Sequence, residues 1–229
     1  MVVRTWNVFH GNTSPPQRRA YLREMVELVT VDRPAIVCLQ ELPVWALSKL
    51  QAWSGMQTVG AVARQPRLGS ASLGRLLTAA HHGLLRSAFT GEADAILVAP
   101  SFEVSHERTL TVSRLGLRRI VHGLRLDGRI FLANFHTTGD EQLHAVADLV
   151  QTQADDEAIL AGDANLRPGE AATYDLLRRR GFSEPLAGSI DQILVRGLPA
   201  TPPAAWPEER RRLRGVLLSD HAPVELTVG

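Results

Sequence analysis

At 229 residues, 45% of them apolar and 21% charged, the chain is long enough to bury one substantial core and needs no disulfide or metal to hold it together. Its 25 Lys and Arg against 24 Asp and Glu leave a net charge of +1, which excludes an overall field that would draw the protein onto nucleic acid or an acidic membrane. A lone Cys38 excludes an internal disulfide, no apolar run approaches the roughly 20 residues of a membrane span, and Met1 to Trp6 lacks the basic and apolar regions of a secretory signal. One domain over residues 1–229 is expected, monomeric, cytoplasmic and without membrane insertion.

Val2 to His10 is rich in β-formers and reads as a strand, broken by Gly11 to Pro16. A helix is predicted over Arg18 to Thr30, with Tyr21, Leu22, Met25, Val26, Leu28 and Val29 on one face. Pro34 resets the chain into a buried strand, Ala35 to Gln40, where Cys38 is a small core side chain; Val44 to Trp53 repeats the helical pattern. Arg64 to Ala80, rich in Gly, Ser and Arg, reads as a long surface loop with a short helix at its end.

Ala93 to Ala99, Glu103 to Val112 and Arg118 to His136 read as strands, the last region folded on itself at the tight-turn pair Asp127-Gly128. Then come a helix (Asp140 to Gln153), a short buried strand (Ala158 to Gly162), a helix (Ala171 to Arg180, stopped by Gly181) and a strand (Ser189 to Val195). An irregular Pro- and Arg-rich stretch, Gly197 to Gly215, precedes two closing strands on either side of Asp220-His221. The order implies two packed sheets flanked by helices.

Polar residues with chemistry to offer fall where these strands end. Hydrolysis of a phosphate ester needs an in-line water and neutralisation of charge on the phosphoryl and leaving oxygens, which a hard divalent cation supplies. Such a cation prefers oxygen donors, and Glu41, Asn7 and Asp220 are of that type. Each also has an ordinary reading: a solvent-facing acid, a turn amide, an Asx-stabilised loop at Asp163 and Asn165, a strand-end imidazole at His136, a surface imidazole at His221. His10 and His81-His82 are weaker metal candidates, because no Cys/His spacing supports zinc. Among the basic runs, Arg210-Arg211-Arg212 lies nearer Asp220-His221 than Arg178-Arg179-Arg180 and is the better candidate to touch a polyanion; Arg67, Arg75 and Arg118-Arg119 are further candidates.

Taken together, Thr5-Trp6-Asn7, Leu39-Gln40-Glu41, Asn134-Phe135-His136, Gly162-Asp163-Ala164-Asn165, Ile190 to Leu194 and Ser219-Asp220-His221 resemble the endonuclease/exonuclease/phosphatase family, which includes pancreatic-type deoxyribonucleases, apurinic endonucleases, inositol polyphosphate 5-phosphatases and neutral sphingomyelinases. The resemblance spans almost the whole chain. It departs from the common pattern at Phe135, where Thr is frequent, and at Ala164, where a larger apolar residue often sits.

The resemblance implies an α/β (α+β) fold, a four-layered α/β/β/α sandwich of two mostly antiparallel sheets with the site at one edge. It makes Glu41 the principal Mg²⁺ ligand, assisted by Asn7 and Asp220, with Mn²⁺ as a substitute. His221 would contact the scissile phosphate, oriented by Asp191, and Asn165 and His136 would hold phosphoryl oxygens. The general base stays open between Asp163 and His221. The expected activity is hydrolysis of a P–O bond by direct attack of water, on nucleic acid in preference to a small molecule, this preference resting on arginine content. The rivals are a phosphatase of a small or lipid-derived phosphate ester, such as an inositol phosphate, and a catalytically silent binding module.

Overall fold

Strands form in this chain where apolar residues alternate between two buried environments. The computed structural model describes residues 1–17, 19–66, 90–113 and 118–229. In β5 (Glu92–Val98), Ala93, Ala95 and Leu97 pack toward helices, while Ile96 and Val98 join the core between the sheets; Glu92 and Asp94 fall on that inner face. The same alternation splits β3 (Ile36–Leu42) into Val37 and Leu39 on one side and Ile36 and Cys38 on the other.

Six strands make the first sheet, in the order β11 (Ala204–Ala205), β14 (Val224–Thr227), β1 (Val2–Asn7), β3, β5 and β4 (Gln57–Arg64). Five make the second: β10 (Asp191–Arg196), β9 (Ala158–Asp163), β8 (Ile130–His136), β7 (Arg119–Leu126) and β6 (Val104–Ser113). Only β1 with β3 and β8 with β9 run parallel; the other pairs are antiparallel. Helices α1 (Leu22–Thr30) and α2 (Leu47–Ser54) cover the first sheet through Leu22, Met25, Val26, Val29 and Leu50. Helices α3 (Asp140–Gln153) and α4 (Thr173–Arg179) cover the second through Leu143, Val146, Val150, Tyr174 and Leu177. The result is the four-layered sandwich expected. A small third sheet joins β12 (Arg212–Leu213), β13 (Val216–Leu218) and β2 (Thr13–Ser14) beside it.

Local chemistry shifts several boundaries. The first strand stops at Asn7, and Phe9–Gly11 forms a 3-10 turn with Phe9 and His10 in left-handed backbone. Helix α1 starts at Leu22 rather than Arg18, because the Tyr21 N–H donates to Gly11 O (2.7 Å) and Leu22 packs directly on Gly11. Strand β4 was not expected: its inward residues Ala61 and Ala63 are too small to produce an apolar alternation. Asp127 and Gly128 both take positive φ and turn β7 into β8 as their sequence implies. The loop expected from Arg64 begins after β4; its positions 67–80, with Arg67, Arg75, His81 and His82, lie outside the described residues, as does Arg18. Among the described residues no helix is long and apolar enough to cross a membrane.

Gly162 carries the tightest approach. A Cβ there would lie 1.9 Å from Phe135 O, so only glycine lets β9 close on β8 and bring Asp163 beside His136. Gly162→Ala is therefore expected to destabilise the protein by at least about 2 kcal/mol in urea denaturation; an unchanged midpoint would show that the two strands need no such contact.

Candidate active site

The two parallel strand pairs point the same way and end at the same edge. Asn7, His136 and Asp163 are the last residues of β1, β8 and β9, and Glu41 is the penultimate residue of β3. Glu92, Arg119 and Asp191 open the antiparallel neighbours β5, β7 and β10 at that edge. Ser219 to His221 arrive through the link between β13 and β14.

Asp163 is fully buried and sits at the centre. One oxygen accepts a hydrogen bond from Asn7 Nδ2 (2.9 Å) and lies 3.6 Å from His136 Nε2 and 3.8 Å from His221 Nδ1. The other accepts from the backbone N–H of Asn165 (2.8 Å), which bends the chain into positive φ there; Asn165 Nδ2 donates to Thr137 O (2.8 Å). His221 Nδ1 is 3.0 Å from Asp191 Oδ2. Burial opposes the charge of His221, but the hydrogen bond to Asp191, with the charges of Asp191, Asp163 and Asp220, outweighs it and raises the pKa to about 9. Burial raises Asp191 to about 6 despite its imidazole partner, so the two form an ion pair at neutral pH.

Glu41 owes its direction to a break in the sheet. The β3–β5 register shifts between Leu39 and Leu42, and within that bulge Glu41 takes φ +56°. Asn134, from the opposite sheet, fills the break: its Nδ2 donates to Leu39 O and Ala95 O (3.0 Å each), and its Oδ1 accepts from Gln40 Nε2 (2.7 Å). The turned carboxylate lies 3.7 Å from His136 Nε2 and 4.0 Å from His10 Nε2, with its side chain 20% exposed.

Behind it lies a buried group that the sequence did not single out. Glu92 pairs with Arg119, each about as buried as the other, and Arg119 also reaches His136 Nδ1 (2.9 Å). Burial raises the Glu92 pKa, but the charge of its partner Arg119 outweighs this and brings it below the ordinary value. For His136 the nearby carboxylates pull the pKa up against burial, whereas the Arg119 N–H occupies Nδ1 as a donor. The contact decides: His136 is neutral with its proton on Nε2, which makes no hydrogen bond of its own and faces the gap between Glu41 and Asp163. Asp94, 1% exposed, is raised by burial to about 7, opposed by the Arg119 charge and by a hydrogen bond from the Glu41 backbone. The available signal was Glu92 and Asp94 at period two with Ile96 and Val98, two acids on an otherwise apolar face.

The basic runs behave differently from expectation. Arg210 pairs with Glu225 and stacks on Trp206, Arg212 pairs with Glu208, and Arg211 is buried beneath the Ser219–His221 backbone, so the sequence Arg210 to Arg212 is committed internally. Arg178 pairs with Asp175 and Glu184, and Arg180 with Asp148. Arg119 is the buried partner of Glu92, while Arg118 donates to Thr111 Oγ1 on the surface.

Glu41, Glu92, Asp94, Asp163, Asp191 and Asp220 thus gather against one arginine and one imidazolium, an acidic excess that suits a hard divalent cation. Glu41 and Asp220 reach solvent, the latter with its side chain 47% exposed and Oδ1 4.0 Å from His221 Nε2. Donor atoms of Asp163, Asp191 and His221 also lie within 4.8 Å of one another, but the imidazole there is already turned onto Asp191.

The family model described as Endonuclease/Exonuclease/phosphatase family matches residues 5–221, and the chain belongs to that family. Its members are phosphoester hydrolases and generally depend on divalent metal. No curated protein sequence matches the chain. Among solved structures, a mannosyl-6-phosphatase of Bacteroides thetaiotaomicron is 16% identical, with a TM-score of 0.71 over 100% of this chain and 99% of that one. A conserved protein of unknown function from Enterococcus faecalis is 18% identical, with a TM-score of 0.71 over 100% and 99%. The TDP2 of Caenorhabditis elegans is 17% identical, with a TM-score of 0.64 over 100% and 74%.

Because the folded-state pKa of His221 lies above its unfolded value, protonation of His221 contributes stability that is fully present below the unfolded pKa and lost as pH rises through about 9. In metal-free Asp191→Asn the ring is expected to titrate much nearer about 6.5, read by NMR of the imidazole. Titration still near the wild-type value would mean that Asp191 does not set it.

Proposed function

We propose that the protein is a Mg²⁺-dependent phosphoesterase that cleaves a P–O bond by direct attack of water. The observation that carries this reading is the meeting of Glu41, Asp163 and His221, from segments far apart in the chain, around one solvent-reaching acidic edge. Glu41, with Asn7 and Asp220, would hold the cation, which when bound supplies charge neutralisation at the phosphoryl and leaving oxygens. Mn²⁺ would substitute.

His221 carries a proton at neutral pH and would donate from Nε2 to a phosphoryl oxygen, while Asp191 fixes its tautomer and stabilises its charge. The neutral Nε2–H of His136 offers a second donor beside it. Since His221 is already protonated, Asp163 is the better general base for the water, and Asn165 orients that carboxylate through its backbone N–H.

For the substrate, a small phosphate monoester is favoured over a polynucleotide. Arg210 is turned onto Glu225 and Trp206 and Arg211 onto the Ser219–His221 backbone, and a phosphatase stands among the neighbours matched along their whole length. A polynucleotide remains the second reading on one observation: Arg167, two residues beyond Asn165, has its side chain 59% exposed. Phosphate release from sugar phosphates and inositol phosphates, set against cleavage of single-stranded, duplex and abasic DNA and of RNA, with and without EDTA, separates the two. Steep loss of activity with salt would mark the polynucleotide.

Glu41→Gln should fold normally and lose most metal-stimulated activity. Wild-type protein at a hundredfold excess of Mg²⁺ over Kd should gain about 2.7 kcal/mol of stability, and Glu41→Gln should gain almost none; an equal gain would remove Glu41 from the metal site. If protonated His221 is required, wild-type activity falls as pH rises through about 9, and the fall moves to lower pH in Asp191→Asn.

A further inference from the structure

The loop that carries His221 is held from beneath by a cation. Arg211 ends the 3-10 turn Glu208–Arg211, is 8% exposed, and directs one guanidinium nitrogen at three backbone carbonyls: Leu218 O (3.2 Å), Ser219 O (3.0 Å) and His221 O (3.0 Å). Among the described residues no carboxylate lies within ion-pair distance of it, so its charge is spent on the loop backbone. The loop is also tied back to the first strand and the turn after it: Trp6 Nε1 donates to His221 O (3.0 Å), Ser219 Oγ to Asn7 O (2.8 Å), and the Ser219 N–H to Asn12 O (2.9 Å). Ser219 is held at φ +58°, a conformation its side chain does not favour and the surrounding bonds must impose.

We infer that Arg211 is a positioning residue for His221: by fixing the three carbonyls of Leu218, Ser219 and His221 it aims the imidazole at Asp191 on one side and at the substrate on the other. Its kinetic consequence rests on the phosphoesterase reading, but its structural consequence does not. An arginine that sets one nitrogen against three carbonyls of a single loop, with no acid at ion-pair distance among the described residues, is placed to hold that loop. A lysine ammonium has three donors and the same charge, whereas methionine has the length and neither property.

The test compares Arg211→Lys and Arg211→Met in the full chain. In the methionine variant kcat is expected to fall about 100-fold with KM nearly unchanged, as for a misplaced reacting group; lysine should restore most of it. In metal-free protein, the exchange-protected imidazole N–H of His221 facing Asp191 should be visible by NMR in wild type and Arg211→Lys and lost in Arg211→Met. Arg211→Gln, with one amide donor group, replaces the methionine variant if that one does not fold and should fall between. A methionine or glutamine variant that keeps both kcat and the N–H signal overturns the inference, as does a lysine variant as impaired as methionine with the signal intact. Should wild type hydrolyse no phosphate ester, the phosphoesterase reading fails while the N–H signal still decides the role of Arg211.

Discussion

A carboxylate almost wholly withdrawn from bulk solvent, Asp163, is the constraint around which this edge of the molecule is arranged. Burying an ionised acid without partners is far costlier than a protein's whole stability margin. Asp163 is tolerated because Asn7 and the Asn165 N–H reach its oxygens and two imidazoles stand beside it. Those partners come from four separate segments, so the sheets cannot close at this edge unless all four arrive. The candidate site is in that sense part of the folding problem and not an addition to a finished scaffold.

The same edge concentrates backbone strain. Of nine non-glycine residues at positive φ among the described residues, Phe9, His10, Glu41, Asn165 and Ser219 stand at the edge that forms the site. Each such residue costs about 1–3 kcal/mol unless its surroundings compel it. Asn134 shows how the compulsion works: its amide satisfies two carbonyls left open by the bulge and a glutamine besides, so relaxing Glu41 would orphan buried polar groups in both sheets. Rigid layers on either side convert that local cost into a fixed direction for one carboxylate.

Residues whose partners are set by strand order were legible before any coordinates. Helix α3 and the Asp127-Gly128 turn follow from local propensity, and the polar residues at strand ends follow from the motifs that mark the family. What escaped depended on partners distant in sequence. Glu92 and Arg119 look like surface charges until each is found to be the other's counter-ion, and Arg211 looks like one of three solvated arginines until its guanidinium is found against the carbonyls of the loop above it. Strand β4 escaped for a plainer reason: alanines give almost no hydrophobic signal, yet they fit the narrow space against Ile120.

The charge balance of the site has a consequence for how it would work. An edge so rich in carboxylates repels a phosphate, although phosphate is what the family consumes; the protein's net charge of +1 does little to offset this at close range. Under the proposed function, attraction would arise once a cation reversed the local sign, so cation and substrate would favour each other's binding, each raising the affinity for the other by the same factor. The imidazolium of His221, held charged by Asp191, then becomes one more donor toward the anion instead of a lone cation among acids. In such a site acidic walls, a cation and an anionic substrate would be mutually dependent, and the burial of Asp163 and Asp191 would keep that dependence from being dissolved by water.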